Sequence, residues 1–243
     1  VGVQEQRQLE WDGCFNVRDL GGLRAGDGRM TRWGRVVRAD ALSDLTAGGW
    51  AALAGHGVST VIDLRNDDEV GQDAAPRPES VRTVHLPLDA SEEREFWDVW
   101  DSGPQFGTPL YYRPHLERFP ERTASVISAI ARAEPGGVAF HCVGGRDRAG
   151  QVAMVLLALA GVSPEEIAAD YALSAERLPP RYASRGEEDQ GPLLQAFLAS
   201  RGTTAEELIV QTLEELDLEA LLLDAGMTPE DLAAVRRRLL DPV

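Results

Sequence analysis

The sequence predicts an α/β fold, a central and mostly parallel sheet flanked by helices. Three observations lead there. Short β-rich runs alternate with helix-periodic segments, as in βα units. RVVRA (35–39) and VSTVIDLR (58–65) are β-rich, and GGVAFHC (136–142) is apolar enough to be a central strand covered on both faces. Glycines, prolines and capping residues fall between the two kinds of segment, where an α/β chain changes direction.

In order, RVVRA (35–39) is the first strand. TAGGWAALAGHG (46–57) is a helix, with Thr46 as N-cap and Gly55 or Gly57 near its end. VSTVIDLR (58–65) is the second strand, and VRTVHLPL (81–88) is a third candidate, stopped at Pro87. Residues 119–134 form a helix, and GGVAFHC (136–142) is a short central strand. RAGQVAMVLLALAG (148–161) is an apolar helix. SPEEIAADYALSAERL starts the next, with a Ser163–Glu166 capping box and Pro164 at its first position. Two more helices are expected around 204–223 and 229–240. The last has Thr228 as cap, Pro229 at its first position and Arg236, Arg237 and Arg238 near its end, where cations suit the helix dipole. The whole chain, 1–243, reads as one domain, with 200–243 as a helical C-terminal extension and SRGEEDQGP (184–192) as a flexible connection.

Two segments stand outside this pattern. One is WDGCFNVRDLGGL (11–23). The other is 89–119, which carries Phe96, Trp97, Trp100, Phe106, Tyr111, Tyr112 and Phe119. Its weak periodicity over about 30 residues marks a lid or binding loop. A small satellite core of aromatic rings is the plainer alternative.

Composition narrows the function. The net charge is -16, which argues against a general nucleic-acid binder and against stable association with anionic membranes. No run approaches the ~18 apolar residues of a membrane span. All 24 basic residues are arginine, so lysine Schiff-base chemistry and a P-loop with its Gly-Lys-Ser/Thr are excluded. Cys14 and Cys142 make neither a disulfide framework nor a zinc site. His56, His85 and His115 share no ligand spacing, so no metal and no cofactor is expected. The polar start, VGVQEQRQLEW, lacks a signal-peptide core. A cytoplasmic location is expected, although a chain that begins at Val1 leaves a removed leader open.

The chemistry concentrates in AFHCVGGRDRAG (139–150). A strand runs through this loop into a helix, so the backbone N–H groups at the helix start have no intrahelical partners and the dipole adds positive potential. That arrangement cradles a phosphate. Gly144 and Gly145 let the loop curl, and Arg148, six residues after Cys142, can close a ring and grip two oxygens. The same dipole and arginine favour the thiolate of Cys142. Cys14 has none of these neighbours.

HCVGGRDRAG resembles the His-Cys-x5-Arg signature loop of cysteine-dependent tyrosine phosphatases. FNVRDLGG (15–22), VIDLRNDDE (61–69), the aspartate within the loop and MTPEDLAAVRRRLL (227–240) narrow the resemblance to the bacterial and mycobacterial PtpB-type branch, over nearly the whole chain. The resemblance implies a tyrosine phosphatase-like fold with helices over the site. It also implies a two-step hydrolysis of phosphomonoesters. In it, Cys142 attacks phosphorus, while Arg148 and the amides of Val143, Gly144, Gly145, Arg146, Asp147 and Arg148 bind the phosphoryl oxygens. Asp147 is the implied general acid, since no Trp-Pro-Asp sequence occurs, and Asp89 is the runner-up. The family usually has Ser or Thr after the signature arginine; Ala149 stands there, which implies slower breakdown of the phosphoenzyme.

Plainer readings stand beside each of these. Cys142 could be a core cysteine, Asp147 a helix N-cap or an arginine's partner, and Arg146 a solvated charge rather than a second phosphate-facing one. Asp63 and Arg65 either orient the loop or form a structural ion pair. His141 braces the loop or acts as a base. Asn16, Arg18 and Asp19 pin the N-terminal segment, with Gly21 and Gly22 as a turn. The expected partner is a phosphorylated protein, lipid or small molecule. A small-molecule phosphatase, a non-catalytic phosphate-binding module and a rhodanese-like sulfur transferase are the competing functions. Oligomeric state is not legible.

Overall fold

The computed structural model describes residues 6–242. Part of the polar stretch read against a signal peptide, residues 1–5, lies outside them. Five strands form one mixed sheet: β1 (Arg18–Asp19), β2 (Val36–Ala39), β3 (Val58–Asp63), β4 (Arg82–His85) and β5 (Gly137–His141). Their spatial order is β1-β2-β5-β3-β4. Only the β1–β2 pairing is antiparallel; the other three are parallel. β5 is the central strand, as its apolar run predicts.

The register aligns the strand ends that matter. Ala39 lies beside His141, His141 beside Asp63, and Asp63 beside His85. Cys142 therefore leaves the middle of the sheet at its C-terminal edge, where α/β proteins build their sites. Successive residues face opposite sides. Val36, Ile62, Val138 and Phe140 pack into one core, while Val37, Val61 and Ala139 pack into another.

The second core is closed by α1 (Ala47–Gly55), whose Trp50 and Leu53 are buried and whose Thr46 hydroxyl caps Gly49 N at 3.2 Å. The larger core lies under α4 (Pro120–Arg132) and α5 (Arg148–Leu159). α5 is buried along nearly its whole length, as expected of a helix with no polar face. Segment 89–119 folds as α2 (Arg94–Trp100), two 3-10 turns and α3 (Tyr112–Arg118). Its rings pack on one another: Phe96 lies 5.0 Å from both Trp97 and Phe119, and Trp97 lies 5.7 Å from Phe106 and Tyr111. Trp97, Tyr111 and Tyr112 also belong to the main core, so this aromatic cluster is attached rather than separate.

Three helical expectations need correction. α6 (Pro164–Arg185) does not stop at Pro179 but runs through Pro179 and Pro180 to a left-handed Gly186. The two carbonyls that lose their donors belong to Ala175 and Glu176, both exposed, where water can replace the bond. The flexible connection is short, because α7 (Gly191–Ser200) starts inside it, with Pro192 in its first turn. The predicted helix at 204–223 is two helices, α8 (Ala205–Glu215) and α9 (Leu218–Asp224). Leu216 is extended between them and Asp217 caps the second through Ala220 N at 3.0 Å.

α10 (Pro229–Leu239) contributes Leu232, Val235 and Leu239 to the main core. Its arginines do more than suit their own dipole. Arg236 donates to Leu159 O at 3.0 Å, and Arg238 donates to Ala133 O at 2.5 Å and Gly136 O at 2.8 Å. They thus cap carbonyls that follow α4 and end α5. The adjoining chain pairs back with the N-terminal region, through Arg32 N to Leu239 O at 2.7 Å and Asp241 N to Met30 O at 3.1 Å.

One buried ionic cluster ties the N-terminal segment, the sheet and α6 together. Asp170 accepts from Arg18 Nε at 3.0 Å, from Arg38 Nη1 at 2.6 Å and from Arg7. Burial alone would raise this carboxyl, but Arg18, Arg7 and Arg38 hold it far below the usual carboxylate range. Because its folded value is depressed, the stability it contributes is complete above pH ~4 and is lost as pH falls below that. Asp170→Asn leaves three guanidinium groups without their shared anion. We expect it to cost about 3–5 kcal/mol in urea unfolding at pH 7, with the gap to wild type closing in acid. A cost below about 1 kcal/mol would count against this account.

Candidate active site

The loop from Cys142 to Arg148 begins at the end of β5 and feeds the first turn of α5. The carbonyls of 143–147 all point outward, held by residues from outside the loop. Val143 O accepts from Ala41 N at 3.1 Å, and Gly144 O from Asn16 Nδ2 at 3.0 Å. Gly145 O and Arg146 O accept from Arg38 Nη2 at 2.8 and 3.3 Å. Asp147 O accepts from Tyr112 Oη at 2.7 Å. Among the described residues, no amide of 143–148 donates to a protein acceptor. A curled loop whose carbonyls are anchored outside presents its N–H groups to the inside, which is an anion nest.

Sterics fix one glycine of the pair. Gly145 has φ +67, and a Cβ there would lie 2.7 Å from the backbone of Ala39 and Asp40. Gly144 has no such constraint; its nearest neighbour would be Leu178 Cδ2 at 3.9 Å. Gly150 also matters, since a Cβ would come within 2.7 Å of the Tyr112 hydroxyl that holds Asp147 O.

Cys142 is 3% exposed and lines a cleft of about 520 Å³ with Val143, Gly144, Arg146, Asp147 and Arg148. The far wall comes from Phe106 and Tyr111 of the aromatic segment and from Leu193 and Leu194 of α7. Segment 101–111 thus lines the cleft while its flanks belong to the core.

Arg148 is buried and points its fork at Glu69, with Nη2 to Oε1 at 2.7 Å and Nη1 to Oε2. Glu69 is held in turn by Asn66 N at 2.8 Å. Burial pushes the Glu69 carboxyl up, but the bonds from Arg148 outweigh it and keep it below its ordinary range. Asp63 and Arg65 do not line the cleft. They form an ion pair, Nη2 to Oδ2 at 2.7 Å, and Arg65 also reaches Ser43 Oγ at 3.0 Å and Glu69 O at 3.4 Å. This is the plain ion-pair arrangement, placed where it braces the residue that holds Arg148.

His141 is fully buried, with Nδ1 3.1 Å from Cys142 O, and burial pushes its imidazole down to about 4. The ring thus meets the backbone where the loop begins. Asp147 occupies the N-cap position of α5 but makes no side-chain cap; its carboxylate faces Arg146 Nε at 3.3 Å and lines the cleft. Asp89 does not line the cleft. It is 3% exposed, 3.3 Å from Arg148 Nη1 and 3.1 Å from Asn66 Nδ2, and burial pushes its carboxyl up to about 6. Ala149 is buried in the first turn of α5.

The N-terminal motif does more than pin itself. Asp19 fills the expected role, accepting from Gly21 N at 2.7 Å and Gly34 N at 2.8 Å. Asn16 reaches the loop directly, and Arg18 orders Asp170, which orders Arg38. Sequence reasoning missed Glu69, Arg38, Tyr112 and Asp170. Asn66-x-x-Glu69 offers one signal, a capping pattern just after a strand end. Asp170 offers another, a lone carboxylate between Ile167 and Tyr171 on the buried side of a helix.

A Cupriavidus necator protein, named by prediction a tyrosine-protein phosphatase, is 31% identical over 73% of this chain and 66% of its own length. A Nostoc commune tyrosine-protein phosphatase is 35% identical over 58% of this chain and 49% of its own. The chain therefore spans about two thirds of the first of these relatives and about half of the second. The triple specificity protein phosphatase PtpB of Mycobacterium tuberculosis is 27% identical over 95% of this chain and 98% of its own. The crystal structure of Pseudomonas aeruginosa TpbA in complex with phosphotyrosine superposes with a TM-score of 0.42 at 15% identity, covering 82% of this chain and 91% of that one. A model described as the tyrosine phosphatase family matches residues 9–241, and the chain belongs to that family.

Proposed function

We propose that this chain is a cysteine-dependent phosphomonoester hydrolase that works through a phosphocysteine intermediate. The single observation that carries the reading is the loop itself: outward carbonyls, inward amides, and a cysteine and an arginine at its two ends. In the first step the Cys142 thiolate attacks phosphorus, forming the S–P bond as the P–O bond to the leaving group breaks. Asp147 donates a proton to the departing oxygen. The loop amides and Arg148 bind the three remaining oxygens, where the transition state spreads its charge. In the second step Asp147, now ionised, takes a proton from water as the water oxygen attacks phosphorus. Phosphate forms and the thiolate is released.

Asp147 is the better candidate acid because it faces the cleft, whereas Asp89 is packed behind Arg148. Arg146 beside Asp147 is a candidate for a second phosphate-facing charge. At Ala149 no hydroxyl is present to stabilise the sulfur as it leaves, which supports a slow second step. PtpB-like breadth, over phosphotyrosine, phosphoserine or phosphothreonine and phosphoinositides, is the substrate range we expect. The segments at 101–111 and 191–194 are proposed as the cover over the cleft. A reducing cytoplasmic setting suits a free nucleophilic thiol; among the described residues no helix is long and apolar enough to cross a membrane.

Cys142→Ser should abolish hydrolysis of p-nitrophenyl phosphate, and vanadate should inhibit the wild type; activity retained in the variant removes the phosphocysteine route. Asp147→Ala should slow alkyl and phenyl phosphates far more than p-nitrophenyl phosphate, by ~10²–10⁴ for the poorest leaving group. If Asp89→Asn shows that dependence instead, the acid is Asp89, and activity should fall as pH rises through about 6. Glu69→Gln should lower kcat/KM roughly tenfold by loosening Arg148, as expected for loss of one charge-assisted bond. An unchanged value in steady-state kinetics would remove Glu69 from the positioning role.

A further inference from the structure

Among the described residues, six arginines are buried: Arg7, Arg18, Arg38, Arg65, Arg148 and Arg181. Five have a carboxylate within hydrogen-bond distance. Arg7, Arg18 and Arg38 share Asp170, Arg65 has Asp63, and Arg148 has Glu69. Arg181, 4% exposed, is the exception. Its nearest carboxylates, Asp40 at 3.8 Å and Glu187 at 3.9 Å, are beyond hydrogen-bond reach, and its Nε and Nη2 have no partner. Asp40 is already used, accepting from the amides of Phe15 and Asn16 at 3.0 and 3.1 Å. The ion pairs of Arg181 are therefore long ones that leave two buried N–H groups unsatisfied, which is costly, and the other five show that this fold normally supplies a hydrogen-bonded carboxylate.

Arg181 lines the same cleft as Cys142 and Arg148. It comes from α6, one turn beyond Leu178, which covers the Gly144 side of the loop. The cleft also holds Tyr182, and its volume, about 520 Å³, suits a small molecule. We propose that Arg181 forms a second anion subsite, which takes a phosphate or carboxylate carried by the substrate besides the phosphate held by residues 142–148. The preferred substrate is then a small phosphomonoester that carries a second, separate anionic group. The inference rests on the proposed phosphatase reading for the first anion, but the subsite itself is a matter of binding.

The test is calorimetry on the full chain in the Cys142→Ser background, with fructose 1,6-bisphosphate against fructose 6-phosphate and glycerate 3-phosphate against glycerol 3-phosphate. We expect at least one bis-anion to bind about tenfold more tightly than its partner, and Arg181→Met to erase most of that ratio. Arg181→Lys keeps the charge and should keep part of it, which preserves the test if the Met variant does not fold. A ratio near one in the starting protein, or one unchanged in both variants, overturns the subsite. A short-chain lipid with a bisphosphorylated headgroup forms a second arm. Binding tighter than that of fructose 1,6-bisphosphate assigns the second anion to a headgroup, weaker binding assigns it to a soluble metabolite, and either supports the subsite. Tightest binding by an acidic phosphopeptide overturns the small-molecule assignment. Failure of the two readings is distinguishable: an Arg181-dependent ratio without any hydrolysis by the wild type leaves the subsite and removes the phosphatase, and hydrolysis without the ratio does the reverse.

Discussion

The outward anchoring of five loop carbonyls is the constraint on which the rest of the molecule depends. A peptide unit cannot show its N–H to a ligand unless its C=O finds a partner elsewhere. Here the partners are the backbone at Ala41, the amide of Asn16, the guanidinium of Arg38 and the hydroxyl of Tyr112. They come from three separated stretches of chain, since Arg38 and Ala41 lie at the same end of β2. The N-terminal motif, the end of β2 and the aromatic segment all converge on seven residues.

Those partners need their own support. Arg38 is held by Asp170, and Asp170 is held by Arg18 and Arg7, so α6 and the N-terminal segment are parts of the loop's scaffold. On the opposite side a second chain of charges runs from Asp63 to Arg65, from Arg65 to the backbone of Glu69, and from the Glu69 carboxylate to Arg148. No member of the first chain lines the cleft, and of the second only Glu69 and Arg148 do. The residues nearest the site are therefore oriented by buried ion pairs whose own geometry is set by the sheet, the arrangement that preorganised electrostatic binding requires.

Much of this was legible in the sequence, and the limit has a physical cause. The strands and the helix after the loop are apolar on every face that the fold covers, so periodicity and caps located them. The loop was legible because cysteine, glycines and arginine sit within one short run. Glu69, Arg38 and Asp170 act on that run from far along the chain, and charge pairing across such distances leaves no local pattern. α6 was cut short for another reason. Two prolines normally end a helix, and only the exposure of Ala175 and Glu176 explains why these do not.

The pairing of Met30 and Arg32 with Leu239 and Asp241 bears on the order in which the molecule is made. Ribosomal synthesis delivers the cysteine loop long before the strand-like ribbon at 239–241 emerges to join the segment at 30–32. Contacts of such wide sequence separation are the slow, entropically costly ones to close. Until they form, α10 has not capped the carbonyls beside α4 and α5, and the sheet under the loop is unsupported on that flank. The nascent chain thus carries the Cys142 sulfur through about the last 100 residues of its synthesis without the finished frame around it.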